Sequence, residues 1–161
     1  MSGQYIRLTA PPATERHHGK AFAQFDPKTL YLVEGADPVA LGRASSQRGS
    51  HRANDPDTGY LNVPTGQTAL GRDHALLCVR NDCLYIAMKE HDGAILGAML
   101  VELRLLSPHS EYYHIPSGSR IRLGVNGAVG VQLLVDIIVE ISATDRWSAT
   151  SRKRFIKGLP A

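Results

Sequence analysis

Apolar positions along the chain come in short runs cut by Gly, Pro, Asn and Asp, a rhythm that predicts strands rather than helices. Ala21–Phe25 offers Phe22 and Phe25 for packing, and Leu30–Val33 is an apolar run stopped by Glu34-Gly35. Val39–Gly42 follows Pro38, where a proline removes no central ladder bond. Leu61–Val63 is closed by the turn residues Pro64-Thr65-Gly66. Ala75–Val79 and Leu84–Met88 flank Arg80-Asn81-Asp82-Cys83, and Asn and Asp accept the left-handed conformations that tight turns need, so this pair predicts a hairpin. His91-Asp92-Gly93 marks a turn before Ala94–Leu106, read as two short strands or one bent strand. Behind Pro116-Ser117-Gly118, the segment Arg120-Ile121-Arg122-Leu123 alternates at period two, and Val131–Ile141 is a long β-branched strand.

No stretch of ten residues carries a helical apolar stripe with a cap and a stop; only Arg152–Leu159 could form a turn of helix. Short strands between Gly/Pro turns point to an all-β sandwich or barrel of about 10–11 short strands. Residues 1–20 hold Pro11, Pro12, His17 and His18 and read as a flexible lead-in, residues 21–142 as the folded domain, and residues 143–161 as a flexible basic tail. Ala44–Tyr60 interrupts the rhythm with Ser, Arg, Gly, Asn and Asp, and a polar segment of that length marks a functional loop or disorder.

Composition changes this picture little. The chain has 161 residues, 43% apolar and 20% charged, ordinary for a globular domain. Its net charge of +3 comes largely from Arg146, Arg152, Lys153, Arg154 and Lys157, a basic run that admits a nucleic-acid contact or nuclear address but reads first as a solvated tail. No apolar run reaches the length of a membrane span, because Gln132, Asp136 and Glu140 interrupt the longest, so no membrane partner is expected. A hairpin turning at Asn81-Asp82 sets Cys78 opposite Tyr85 and Cys83 opposite Arg80, so the two thiols are not partners. Reduced cysteines imply a nuclear or cytoplasmic protein.

Four segments, in order, resemble the forkhead-associated (FHA) domain, a β-sandwich that binds phosphothreonine peptides. Leu41-Gly42-Arg43-Ala44-Ser45-Ser46 is similar to the family's Gly-Arg signature, and Gly71-Arg72-Asp73-His74-Ala75 to its Ser-Arg-x-His-Ala run. Glu90-His91-Asp92-Gly93-Ala94 stands where the family has Ser-Thr-Asn-Gly-Thr, and Ile115–Gly124 resembles the stretch before the last strands. Ala21–Phe25, Tyr31-Leu32-Val33 and Leu41-Gly42-Arg43, with Ala94 in place of a threonine, also resemble FHA domains of some forkhead transcription regulators. The resemblance implies an FHA-like sandwich over residues 21–142 and a protein-interaction role in signalling, as an adaptor for a phosphorylated partner.

It also implies a site. Arg43 would contact the peptide near the phosphate, with Gly42 letting the chain leave the strand; Arg72 would lie beside the peptide. Asp92 occupies the place of an asparagine that bonds the peptide backbone, with Gly93 completing the turn, while His74 braces the loops. Ser45, Ser46, Thr68 and a protonated His91 are further donors. Two departures matter. Gly71 replaces a phosphate-binding serine, and Asp92 replaces an amide that both donates and accepts. A carboxylate several ångströms from a phosphate costs roughly 1–4 kcal/mol per pair of unit charges. A lost charge-assisted hydrogen bond costs a further ~1.5–3 kcal/mol, against about 8 kcal/mol for a micromolar complex. The alternative is therefore a degenerate FHA-like scaffold that binds partners, or itself, without phosphate.

Catalysis finds no footing. No Gly-x-Ser-x-Gly, P-loop or dinucleotide fingerprint occurs, and no two histidines stand at metal-ligand spacing with a third ligand near, so neither a cofactor nor a metal is expected. Cys78 and Cys83 fall on hairpin strands, away from the helix termini and loops that activate thiols. The oligomeric state leaves no mark in the sequence.

Overall fold

The computed structural model describes residues 3–44, 53, 58–63, 74–88, 99–101, 104–105, 112–123, 133–143 and 155–156. Among them every regular element is a strand: β1 (Gly3–Thr9), β2 (Arg16–His17), β3 (Lys20–Phe22), β4 (Lys28–Val33), β5 (Val39–Arg43), β6 (Gly59–Leu61) and β7 (Ala75–Arg80) in the first half. The second half holds β8 (Cys83–Met88), β9 (Met99–Val101), β10 (Arg104–Leu105), β11 (Tyr112–His114), β12 (Ser119–Leu123), β13 (Leu133–Ala143) and β14 (Phe155–Ile156). No helix among the described residues is long and apolar enough to cross a membrane.

Period-two alternation sorts these strands into two layers. One sheet runs β10-β9-β12-β13-β1-β4, with the β2–β3 hairpin attached where β3 lies parallel to β13. The other runs β14-β11-β8-β7-β5-β6. Ile6, Leu8, Leu30, Ile121, Val135 and Ile137 of the first sheet meet Leu41, Leu61, Leu77, Leu84 and Ile86 of the second in one buried core. Each such side chain contributes about 1.5–3 kcal/mol by leaving water. The result is an all-β sandwich.

The hairpin predicted around Asn81-Asp82 forms with the predicted register, Cys78 opposite Tyr85 and Arg80 opposite Cys83. Asn81 and Asp82 both take positive φ, 53° and 60°, the geometry of a type I′ turn. The Glu34 carboxylate accepts from the backbone N–H of Asn81 at 2.9 Å and of Asp82 at 2.7 Å, tying the turn to the end of β4.

Several expectations are corrected. From Gly3 onward the first twenty residues are not a loose lead-in. β1 lies between β13 and β4, antiparallel to both, because the alternation Gln4-Tyr5-Ile6-Arg7-Leu8 sends Ile6 and Leu8 into the core. Residues 16–22 form a second hairpin, turned at His18 (φ 48°) and Gly19 (φ 78°). The basic tail is not wholly free and its Arg152–Leu159 stretch is not helical where described, since Phe155–Ile156 pairs with Tyr112–Tyr113 as an edge strand. The strand count exceeds the expected 10–11, since β1, β2, β11 and β14 had no expected counterpart. Apart from Ala53 and Thr58, the polar stretch 45–58 lies outside the described residues.

Candidate functional site

Strand register decides which motif-bearing segments can meet. In the six-stranded sheet Leu41 of β5 stands opposite Ala75 of β7, and Ala75 stands opposite Met88 of β8. β5 is antiparallel to β7 and β7 to β8, so the finish of β5, the start of β7 and the finish of β8 share one end of the sheet. Arg43, His74 and Met88 therefore stand at that end, and β6, parallel to β5, finishes there too with Leu61 beside Arg43.

The backbone around this end is tightly tied. The His74 N–H donates to the Leu41 carbonyl at 2.9 Å, and the Ala44 N–H to the Leu61 carbonyl at 2.8 Å. Gly59 lets β6 close on β5, since a Cβ there would lie 2.9 Å from the Ala40 carbonyl oxygen. Gly42 lies inside β5, buried and paired with Tyr60, so the strand runs straight through it to Arg43 and does not leave sharply at the glycine. Arg43 is half-buried at the strand's last position. His74 is 5% exposed, and burial lowers its imidazole to about 4, so the ring is neutral near pH 7. A neutral, buried ring is suited to bracing the strand ends rather than to supplying charge. Ser45, Ser46, Gly71, Arg72, His91, Asp92 and Gly93 lie outside the described residues.

A second polar cluster was not singled out from the sequence. Asp136 of β13 is 1% exposed, on the side of its sheet away from the core. Its carboxylate accepts from Arg120 Nε at 2.6 Å and from Arg122 Nε and Nη2 at 2.7 and 3.1 Å. Arg120 also pairs with Glu15, and both guanidiniums stack on Phe22, 5.0 and 5.4 Å from the ring centre. The hydrogen bond to Glu15 above all, and then Asp136, holds Arg120 firmly protonated. Two cations matched by two carboxylates leave little field for an incoming anion; the cluster clips residues 15–22 onto the outer face of the sheet. The signal was present as alternation, which puts Arg120, Arg122 and an aspartate of the neighbouring strand on one face.

Nucleophilic chemistry is disfavoured at Cys78. Burial pushes Cys78 up to about 11, away from the reactive thiolate. Among the described residues no group of three His, Cys, Asp or Glu side chains is arranged to hold a metal ion.

No protein-family model matches the chain, and no curated protein matches it. Solved structures similar to it include the FhaA FHA domain complexed with the intracellular domain of Rv3910, at 16% identity and a TM-score of 0.45, covering 84% of this chain and 99% of that one. A structure from a study of phosphothreonine-dependent FHA domain interactions is 17% identical with a TM-score of 0.45, covering 84% and 95%. The Rv0020c FHA structure is 17% identical with a TM-score of 0.42, covering 88% and 97%.

Proposed function

We propose that this protein is a non-catalytic interaction module that grips a phosphothreonine-containing peptide with the loops around Arg43, Gly71-Arg72 and His91-Asp92. One observation carries the reading: the row Leu41–Ala75–Met88 brings the ends of β5, β7 and β8 to one end of the sheet. Those are the strand ends next to the three FHA-like motifs. Arg43 supplies charge for the phosphate, and the buried, neutral His74 keeps its own strand end rigid. Ser45, Ser46 and a protonated His91 offset the serine lost at Gly71. A nuclear or cytoplasmic site of action belongs to the same proposal.

The replacement of a serine and an amide by Gly71 and Asp92 favours a second reading, an FHA-like scaffold that binds its partner without phosphate. Calorimetric titration with phosphothreonine and plain versions of one peptide library separates the two. Binding of phosphorylated peptides alone supports the first reading; equal binding of both forms supports the second.

A further inference from the structure

A cavity of about 140 Å³ lies where the chain crosses from the eight-stranded sheet to the six-stranded one. β4 ends at Val33, Glu34 bridges in parallel to Val79 of β7, and the Gly35 N–H donates to the Val79 carbonyl at 3.1 Å. Gly35 takes φ 81° and the Ala36 N–H donates to the Val33 carbonyl at 3.1 Å, so the chain turns here. It then enters β5, where Val39 pairs with Leu77. This strap is tied to β7 at both its ends, and the cavity enclosed by it, β4 and β7 is preformed.

Its walls are apolar: Leu32, Val33, Val39, Leu77 and Val79. Among the described residues that line it, Asp37 alone is charged. Glu34, the other carboxylate of the strap, already accepts from the N–H groups of Asn81 and Asp82. Asp37 is exposed, and among the described residues no hydrogen bond or ion pair engages it. Tyr31, 38% exposed, lines the same cavity, and Tyr5, 49% exposed, stands beside it with the rings 4.9 Å apart. A Cβ on Gly3 would lie 2.6 Å from Tyr31 Cζ and Oη, so the glycine gives the Tyr31 ring room to lie over β1. Apolar surface therefore continues from the cavity onto the outer face of the sheet.

We propose that this cavity docks a lysine side chain of a partner protein, with the lysine's flanking residues lying over the Tyr5–Tyr31 pair. An apolar hole with one unpaired carboxylate at its solvent side fits a group that is apolar along its length and positive at its tip. Lysine has that form, a methylene stem ending in a compact ammonium. A cavity of about 150 Å³ accepts benzene, so four methylenes fit in one of this size. The ammonium then meets the Asp37 carboxylate and the Tyr31 ring, an ion pair and a cation–π contact. A free amine would use the cavity alone, whereas the adjoining tyrosines give a peptide further surface to cover. Val39 opens β5 and Val79 stands near the finish of β7, so the cavity lies at the end of the sheet opposite Arg43 and His74. Lysine docking is thus independent of phosphate binding.

Amide NMR titration of the full chain tests this with blocked pentapeptides, all alanine except for a middle lysine, norleucine or glutamate, and with butylamine as the free amine. The lysine peptide should shift Val33, Ala36, Asp37 and Val79 and bind about two- to fivefold more tightly than the norleucine peptide. The glutamate peptide should shift none of them. D37N, an exposed substitution, should bring lysine binding down to the norleucine level while the rest of the spectrum stays that of the folded chain. High salt should do the same. Absence of shifts at these residues with the lysine peptide overturns the proposal, as does lysine binding that D37N leaves unchanged. Butylamine bound as tightly as the lysine peptide overturns the docking role and makes the cavity a site for free amines. The pentapeptides carry no phosphate, so failure here is distinct from failure of the Arg43 site.

Discussion

Leu41 and Ala75 face each other across β5 and β7, and this single pair sets Arg43 and His74 at the same end of the six-stranded sheet. A slip of one residue would turn every side chain of β5 to the other face, taking Leu41 out of the core. Core packing thus fixes the position of the candidate binding residue.

Replacing Arg43 by alanine should weaken phosphopeptide binding sharply and leave the fold intact, because the side chain ends a strand and is only half-buried. Loss of one charge-assisted contact to phosphate corresponds to ~1.5–3 kcal/mol, roughly a ten- to hundredfold weaker complex. Calorimetry with an unfolding control measures both parts.

His74 makes stability depend on acid. Its folded value of about 4 lies below the ordinary 6.5, so the unfolded chain binds the proton first as pH falls. Above pH 6.5 both states are neutral and the residue contributes no slope. Between 6.5 and 4 stability should drop, by about 3 kcal/mol at roughly 1.4 kcal/mol per unit. Urea unfolding at a series of pH values should show this slope in the wild type and its loss in His74→Gln.

Asp136→Asn should destabilise strongly, because it leaves two guanidiniums facing an uncharged, buried partner. The expected cost is about 3 kcal/mol, the low end for a broken buried pair, since the Arg120 side chain is a third exposed. Denaturant titration gives the value, and a loss under 1 kcal/mol would show that Phe22 and Glu15 hold the clip without the aspartate.

Removing residues 1–9 should abolish cooperative unfolding altogether. β1 separates β13 from β4 and buries Ile6 and Leu8, so its deletion splits the sheet and opens the core. A thermal melt of the truncated chain that remains sharp would contradict this placement.

Much of the fold was legible because it is written in local pattern. Asn81-Asp82 announced its own turn, and the alternation in Arg120–Leu123 and the β-branched run Val131–Ile141 announced β12 and most of β13. What was missed depends on distant partners. Gln4–Thr9 alternates apolar and polar, yet the prolines and histidines that follow it suggested a loose end; only pairing with β13 and β4 makes it central. Phe155–Ile156 is two residues long and owes its strand to the edge that β11 offers. At the candidate site, Gly42-Arg43 and His74 were marked only by the resemblance of their segments to FHA motifs. The Asp136 cluster was not, because an aspartate in an apolar run shows its two arginines only once β12 and β13 are in register.

Phosphate bound at the Arg43 end of the six-stranded sheet, as proposed, would perturb the backbone amides of the strand ends gathered there. Amide NMR spectra recorded while a phosphothreonine peptide and then its unphosphorylated twin are added read this residue by residue. The expected result is shifts at Arg43, His74 and Met88 with the phosphorylated peptide alone, and none at Asn81 and Asp82, which lie at the other end of the β7–β8 hairpin. Equal shifts from both peptides, or shifts centred on Asn81 and Asp82, would contradict it.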